Sequence, residues 1–199
     1  DDYVDGGADA DTIDFRFGPA VVVALDASFD NDGGAVGDTF LNIERVNGSA
    51  FADVIRGSTA SNMLTGFAGN DLIDGAAGSD LLRGGIGVDT LVGGLGNDNF
   101  YFYTAAEMGD TIADFNSTGS GNDDRFSFRA ANFGAGLVAG ALDPTQFQSR
   151  ADNLAQDSND RFIFRTTDTT LWFDADGNGA GAAVLVADLQ AGATMTSLD

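Results

Sequence analysis

The chain of 199 residues contains no cysteine, no histidine and no lysine. Without cysteine it forms no disulfide and offers no thiolate to a metal. Without histidine it lacks the commonest general base of enzymes and the commonest ligand of transition metals. The motifs H-E-x-x-H and G-x-S-x-G are also absent, so we expect a non-catalytic module, although the larger protein that contains it could be an enzyme.

Positive charge is scarce as well. Nine arginines face 31 acidic residues, all of them aspartate except Glu44 and Glu107, and the formal net charge is −22. Nucleic acids and anionic membranes attract clusters of basic side chains, so we expect neither as a partner. The apolar run AVVVAL at 20–25 is far too short to span a bilayer, and we see no signal peptide. A hydrophobic fraction of 43% with 16 phenylalanines nevertheless favours a folded chain.

Residues 66–101 repeat a pattern of nine residues, GFAGNDLID, GAAGSDLLR, GGIGVDTLV and GGLGNDNFY. Each copy places one carboxylate at its sixth position and one apolar side chain at its eighth. An α-helix would not tolerate so many glycines, each costing about 1 kcal/mol relative to alanine. The carboxylates and the apolar residues are, respectively, Asp71, Asp80, Asp89 and Asp98, and Ile73, Leu82, Leu91 and Phe100.

Weaker copies surround this segment. Residues 48–56 and 57–65 precede it without a gap, and 6–14 and 33–41 fit the pattern more loosely. The opening residues 1–5, DDYVD, read as the end of a further copy, from which we infer that the chain is a fragment of a longer protein.

A period of nine residues indicates a solenoid. The glycine-rich six residues form a turn, the last three form a short strand, and two repeats complete a coil of 18 residues. Successive coils stack as parallel strands ~4.8 Å apart, which predicts that Ile73 stacks on Leu91 and Leu82 on Phe100. One apolar residue in nine cannot offset an ordering entropy of roughly 1–2 kcal/mol per residue. Another interaction must therefore hold the coils.

The turns supply such an interaction. Glycines allow positive φ, so several carbonyl oxygens can face one point, and the aspartate adds a charged ligand. Two stacked turns offer about six oxygens, which suits Ca²⁺ better than Mg²⁺, because Mg²⁺ is smaller and keeps its waters. Without the ion, carboxylates ~4.8 Å apart repel one another.

GGIGVDTLV and GGLGNDNFY resemble the nonapeptide GGxGxDxUx of the RTX, or haemolysin-type, calcium-binding family. The resemblance implies an all-β fold, a parallel β-roll held by several Ca²⁺ ions, with Asp71 paired with Asp89 and Asp80 paired with Asp98. It also implies that the turn glycines contribute to the sites. These are Gly66, Gly69, Gly75, Gly78, Gly84, Gly85, Gly87, Gly93, Gly94 and Gly96.

Other candidate ligands are less clear. Asp53 would face Asp71 and Asn62 would face Asp80. Their turns carry other residues where glycines belong, and backbone bonds alone could hold those coils. The replacing residues are Ser49 and Phe51 in the first turn and Ser58 and Ala60 in the second. Further candidates in weaker copies or after the repeats are Asp11, Asp38 and Asp110. The segment DADGNG places Asp174, Asp176 and Asn178 at the first ligand positions of an EF-hand loop, with Leu185 where a glutamate is required. A hairpin turn without metal explains the same residues.

We expect three domains, namely degenerate repeats in 1–47, the β-roll in 48–101 and an antiparallel β cap in 102–199. GDTIADF and the segment from Leu171 to Leu189 resemble the carboxy-terminal regions of proteins exported by type I secretion.

The sequence predicts an extracellular module that folds on calcium after type I secretion and stabilises a larger protein. Its partners would then be the rest of the parent chain and the secretion machinery. The alternative is a calcium-dependent adhesin, surface-layer element or polysaccharide-binding module of a secreted protein.

Overall fold

A computed structural model describes residues 2–28, 30–117, 123–134 and 136–199. Within these residues the protein is almost entirely β-structure, with one short helix, α1, at Ala130–Phe133, and 3₁₀ turns at Gly33–Ala35, Ala105–Glu107 and Pro144–Gln146. The strands are β1 Tyr3–Asp5, β2 Thr12–Asp14, β3 Val22–Ala24, β4 Thr39–Leu41, β5 Arg45–Asn47, β6 Val54–Arg56, β7 Met63–Ala68, β8 Leu72–Asp74, β9 Leu81–Ile86, β10 Thr90–Val92, β11 Asn99–Phe102, β12 Asp110–Ile112, β13 Arg125–Phe128, β14 Phe147–Arg150, β15 Phe162–Arg165, β16 Thr170–Phe173 and β17 Val184–Leu189.

Consecutive repeats contribute strands to two facing sheets in turn. One sheet has six strands in the order β13-β11-β9-β7-β5-β2, and the other has nine in the order β14-β15-β16-β17-β12-β10-β8-β6-β3. Between β5 and β12, each glycine-rich turn carries the chain from one sheet to the other, so two repeats make one coil. All neighbouring strands of this part pair in parallel. The architecture is therefore the predicted parallel β-roll.

The register of the strands confirms the predicted stacking. Ile73 lies opposite Leu91, and Leu82 lies opposite Phe100. All four side chains are at most 1% exposed, and they face the space between the two sheets. The same two apolar ladders continue in both directions. Their other fully buried members are Val23, Val46, Leu64, Ile55 and Ile112.

The parallel ladders extend past the predicted end of the roll at residue 101. In β12, Ile112 lies opposite Leu91, and in β13, Phe126 lies opposite Phe100. The steps between acidic partners in these coils are 21 and 26 residues instead of 18. These longer connections explain why the nine-residue rhythm stops while the stacking continues. The division into three domains remains a prediction, since only the pairing is visible here.

The antiparallel part is smaller than the sequence predicts. Only β16 pairs antiparallel with both neighbours, β15 and β17, among the named strands of the described residues. By contrast, β14 pairs in parallel with β15, and β17 pairs in parallel with β12. The predicted antiparallel part of the cap is therefore present, and it consists of β15, β16 and β17. The cap is joined edge to edge to the nine-stranded sheet instead of being a separate sheet.

Phenylalanine rings close the carboxy-terminal end of the roll. Phe100 and Phe115 both contact Phe126, and a chain of ring contacts continues through Phe128 to Phe162, where the centroids are 4.5 Å apart. Each aromatic side chain buries a large apolar area. The thin core of the repeats thus widens into an aromatic cluster that ties the last coil to the cap.

The weak amino-terminal copies also form parallel strand pairs, one of them apart from the two main sheets and two of them within those sheets. β1 pairs in parallel with β4 as a two-stranded sheet, with Val4 opposite Phe40. β2 pairs with β5, and β3 pairs with β6, so these strands begin the two main sheets. The segments 2–5 and 33–41 therefore form one step of a roll of their own.

Candidate metal centre

One oxygen of each repeat carboxylate fastens the preceding coil. Asp89 Oδ1 accepts the backbone N–H of Asp71 at 2.8 Å, and Asp98 Oδ1 accepts that of Asp80 at 2.8 Å. These four side chains are only 1–2% exposed. The predicted pairs, two repeats apart, therefore lie one above the other in the turns.

The upstream turns show the same contact. Asp71 Oδ1 accepts the N–H of Asp53 at 2.8 Å, and Asp80 Oδ1 accepts that of Asn62 at 2.7 Å. Ser49, which replaces a glycine in the first of these turns, donates from both its N–H and its hydroxyl to the Asp53 carboxylate. The two upstream coils thus belong to the same ladder of contacts between side-chain oxygens and backbone N–H groups. In each of them, a serine of the same turn donates hydrogen bonds to the side chain at the sixth position.

The second oxygen of each repeat carboxylate is buried without a partner. Among the described residues, Oδ2 of Asp71, Asp80, Asp89 and Asp98 has no hydrogen-bond donor, although it is shielded from solvent. A buried ionised carboxylate is strongly unfavourable unless it is paired or coordinates a metal. Four equivalent unsatisfied oxygens in successive turns therefore indicate a repeated cation site.

The glycine at the first position of each turn leaves room for such an ion. A Cβ placed on Gly66 would lie 2.0 Å from Asp71 Oδ2 and 2.7 Å from the carbonyl oxygen of Gly84. On Gly75 it would lie 2.4 Å from the free carboxylate oxygen of its repeat and 2.6 Å from the carbonyl oxygen of Gly93. A carboxylate and a carbonyl from two repeats later thus face the same small space beside each glycine.

The glycines at the second and fourth positions hold positive φ angles. The fourth-position values include +119° at Gly78 and +132° at Gly96. The equivalent second-position angles are +115° at Gly85 but also +79° at Phe67 and +72° at Ala76, where an L side chain occupies a strained conformation. The remaining predicted glycines are placed in these turns in the same way. They are Gly69, Gly87 and Gly94, whereas Gly84 and Gly93 are first-position glycines that lie beside the Oδ2 atoms of Asp89 and Asp98.

Burial raises the pKa of the ladder carboxyls against the effect of their hydrogen bonds. It raises the pKa of Asp71 and Asp80 to about 7 and that of Asp110 to about 8. Backbone donors lower these pKa values, and neighbouring carboxylates such as Asp89 and Asp98 raise them further. In the absence of a cation, the folded turns thus favour the protonated acids.

This shift predicts an inverted pH dependence for the calcium-free protein. The folded carboxyls bind protons up to about pH 7, whereas unfolded aspartates release them near pH 3.9. Stability of the calcium-free fold is therefore greatest below about pH 4 and is lost as the pH rises toward 7. We expect a cooperative urea unfolding transition in EDTA at pH 5, and a weakened or absent transition at pH 8. In calcium the order should reverse, because protons compete for the same oxygens. An EDTA midpoint that is independent of pH would contradict the burial of these acids.

The donor set suits Ca²⁺. Every candidate ligand is a carboxylate or carbonyl oxygen, which hard cations prefer, and six to eight oxygens are usual for calcium. Among the described residues, no group of three or more acidic side chains gathers at one point. Main-chain carbonyls must therefore supply most of each coordination shell, which explains the need for glycine in the turns.

Both ladders continue beyond the nonapeptides. Asp110 Oδ1 accepts the N–H of Asp89 at 3.0 Å, and Asp124 Oδ1 accepts that of Asp98 at 3.0 Å. Asp110 was a weaker sequence candidate, and sequence reasoning missed Asp124. The tripeptide Asp124-Arg125-Phe126 has the aspartate and the apolar residue of a repeat, and in the sequence Gly119 stands at the first position, although glycine is missing from the second and fourth positions. This spacing is the signal that could have found it.

The amino-terminal candidates form shorter ladders, one of which uses a residue that sequence reasoning missed. Asp38 Oδ1 accepts the N–H of Asp2 at 2.7 Å, and Glu44 Oε2 accepts that of Asp11 at 2.9 Å. Leu41 corresponds to the ninth residue of a repeat. Its carbonyl accepts the N–H of Gly6, just as the carbonyl of the ninth residue Val92 accepts the N–H of Gly75 in the clean repeats. The turn between Leu41 and β5 therefore has three residues instead of six. The side chain of Glu44, which is longer than that of aspartate, makes the ladder contact with Asp11.

The DADGNG segment lies apart from these ladders, in the connection between the antiparallel strands β16 and β17. The Asp174 carboxylate accepts the N–H of Asp176 at 3.1 Å, and the Asp176 carboxylate accepts that of Gly181 at 2.9 Å. The N–H of Asn178 donates to the carbonyl of Asp157 at 3.1 Å. These contacts close a long hairpin loop.

Family comparison agrees with the ladder. A family model described as RTX calcium-binding nonapeptide repeat (4 copies) matches residues 1–18, 47–82 and 65–100. These ranges contain the four Oδ2 atoms described above, and neither Asp110 nor Asp124 lies within them. A search of curated proteins finds no match to the chain.

Proposed function

This chain carries RTX calcium-binding nonapeptide repeats, and on that premise we propose that it folds when Ca²⁺ binds outside the cell and stabilises a larger secreted protein. Calcium-binding RTX repeats are a feature of secreted proteins. Among the described residues, no helix is long and apolar enough to cross a membrane. The proposed module is not catalytic, and its partners are the rest of a parent chain and a type I exporter.

The buried, unpartnered Oδ2 atoms carry this proposal. They occur once in each of the four repeats of 66–101, at Asp71, Asp80, Asp89 and Asp98, so the cost of leaving them uncompensated is repeated in four successive turns. A cation at each position removes that cost and joins two coils. Binding energy at such sites is also folding energy, because the sites do not exist in an unfolded chain.

The charge explains how folding and export would be coupled. At a net charge of −22, the calcium-free chain repels itself and favours an extended state that suits a narrow export channel. Extracellular calcium modules have dissociation constants of about 10⁻⁴–10⁻³ M. The roll would therefore assemble only after export, where folding also opposes backward movement.

The midpoint of calcium-induced folding tests this proposal. Trp172 lies in β16, in the cap that pairs with the roll through β17, so its fluorescence should report the transition. We expect a cooperative change with a midpoint of about 10⁻⁴–10⁻³ M Ca²⁺ at neutral pH. A titration with Mg²⁺ over the same range serves as the control and should give no transition.

A submicromolar midpoint would contradict the export mechanism, because the module would then fold in the cytosol. A chain that is folded equally without calcium would contradict the proposal as a whole.

A second candidate function is that of an adhesin, a surface-layer element or a polysaccharide-binding module. A groove between Arg45 and Arg125 favours polysaccharide binding among these.

A further inference from the structure

The outer face of the six-stranded sheet presents one row of side chains across five stacked strands. The parallel registers place Arg45, Met63, Leu81, Asn99 and Arg125 in line, one residue from each strand. Four steps of ~4.8 Å separate the first strand from the last, roughly 19 Å in all. The two ends of the row are thus cationic, and its middle is neutral.

A shallow groove of about 390 Å³ follows this row. All five row residues line it, and hydroxyl and amide side chains from the neighbouring turns form one wall. These wall residues are Ser61, Ser79 and Asn97. Met63 is 41% exposed at the centre of the groove. The groove therefore combines apolar surface, neutral hydrogen-bonding groups and a positive charge at each end.

In the part of the chain that the structure describes, the two arginines of the row have no carboxylate partner, although the chain is strongly acidic. Within the described residues, neither Arg45 nor Arg125 forms an ion pair with a carboxylate, and the Arg125 guanidinium makes no hydrogen bond. Arg45 Nη1 donates only to the carbonyl of Ala10, at 3.0 Å. Other arginines do pair with carboxylates, namely Arg16, Arg56, Arg83, Arg150 and Arg165.

A second unsatisfied group lies beside Arg125. Asn99, its neighbour in the row, has a side-chain Oδ1 that is buried without a partner, and its amide makes no hydrogen bond to the described residues. An amide and a guanidinium in this arrangement offer several N–H donors to one oxygen-rich ligand. The guanidinium fork in particular matches a carboxylate.

We propose that this groove binds an extended polysaccharide with carboxylate groups, which lies across the strands from Arg45 to Arg125. A uronic acid carboxylate would meet Arg125 and Asn99 at one end, and another would meet Arg45. Sugar hydroxyls would face Ser61 and Ser79, and the apolar faces of the rings would pack on the centre of the row. Two acids also line the groove. Asp80 carries one of the unpartnered oxygens at which we propose a calcium ion, and Glu44 accepts the N–H of Asp11.

Charge favours this ligand over a nucleic acid. A nucleic acid carries a phosphate at every step and needs a dense cluster of cations, whereas the row has two arginines separated by roughly 19 Å. The proposal rests on the calcium-assembled roll, because the row exists only when the coils are stacked.

Binding of oligogalacturonates to the calcium-loaded protein tests the proposal. Titration calorimetry at a fixed free calcium concentration should show binding of an eight-sugar oligomer, little binding of the disaccharide, and weaker binding as salt is added. Arg125→Gln and Arg45→Gln should each weaken binding about tenfold or more, since hydrogen bonds between charged groups are lost. Arg150→Gln removes the same charge outside the groove and serves as the matched control.

Circular dichroism in calcium distinguishes a variant that has lost ligand binding from one that has lost its folded structure. If the Arg125→Gln protein keeps its β-structure and calcium midpoint, a loss of binding is specific to the groove. Equal binding by the Arg125→Gln and Arg150→Gln proteins would overturn the proposal, as would the absence of any uronate binding by the folded protein. Tighter binding of a thymidine octanucleotide than of the uronate would assign the row to nucleic acid instead.

Discussion

Removal of calcium at pH 7.5 should convert the roll from β-structure to a disordered chain. Each of the four repeat carboxylates would then keep a buried charged oxygen without a partner. The effective penalty for such an ion is several kcal/mol, and the total stability of a domain is only about 5–15 kcal/mol. Four uncompensated sites therefore exceed what the thin apolar ladders can offset.

Far-UV circular dichroism during an EDTA titration measures this loss, and hydrogen exchange locates it. The amides of Asp71 and Asp80 donate to carboxylates of the next coil, so they should be protected in calcium and exchange freely in EDTA. Addition of Mg²⁺ should not restore protection, because Mg²⁺ dehydrates reluctantly and demands octahedral geometry. A β-sheet spectrum that persists in EDTA at pH 7.5 would show that the ions only decorate an already stable fold.

The repeats could be predicted from sequence because their pairing is local. A fixed period of nine places residues 18 apart on neighbouring strands, so the stacking of Ile73 on Leu91 followed from counting alone. The carboxylate ladder followed in the same way. The pattern did not show that a backbone N–H two repeats earlier donates to one oxygen of each aspartate, which leaves the other oxygen free.

Outside the repeats, tertiary contacts rather than a nine-residue period place the acidic side chains. Asp114 accepts the N–H groups of Gly93 and Gly94 with its two carboxylate oxygens, both at 2.8 Å, from a segment with no repeat pattern. The long connections before Asp110 and Asp124 hide their places in the ladders. No local signal specifies such contacts, because they depend on how the aromatic cluster positions the returning chain.

Glu44 shows a further limit of pattern matching. It occupies a ladder position in a turn cut from six residues to three, and its longer side chain makes the contact that an aspartate makes elsewhere. A search for glycines and aspartates at fixed positions therefore passes over it. The physical requirement is a carboxylate oxygen at the right height in the stack, which more than one sequence can supply.

Gly96→Ala should be among the most damaging single substitutions in the roll. Gly96 has a φ of +132°, and a Cβ on it would lie 1.6 Å from the carbonyl oxygen of Gly78 in the coil below. The left-handed backbone alone costs an alanine roughly 1–2 kcal/mol. Relief of the clash requires the two coils to separate, and overpacking of this kind adds typically 1–3 kcal/mol. The same movement would draw the turn carbonyls away from the ions.

Gly109→Ala is the matched control, since Gly109 has a similar φ of +112° but no atom within 4 Å of the added Cβ. Gly109→Ala should lower the free energy of unfolding only by the cost of a positive φ for alanine, without a steric clash. Urea unfolding in saturating calcium should therefore rank wild type above Gly109→Ala and Gly109→Ala above Gly96→Ala. Because folding is coupled to calcium binding, the calcium midpoint should rise slightly for Gly109→Ala and much more for Gly96→Ala. Equal destabilisation by both substitutions would mean that the coils can move apart without loss. The close contact between stacked turns would then not be what sets the spacing of the calcium ladder.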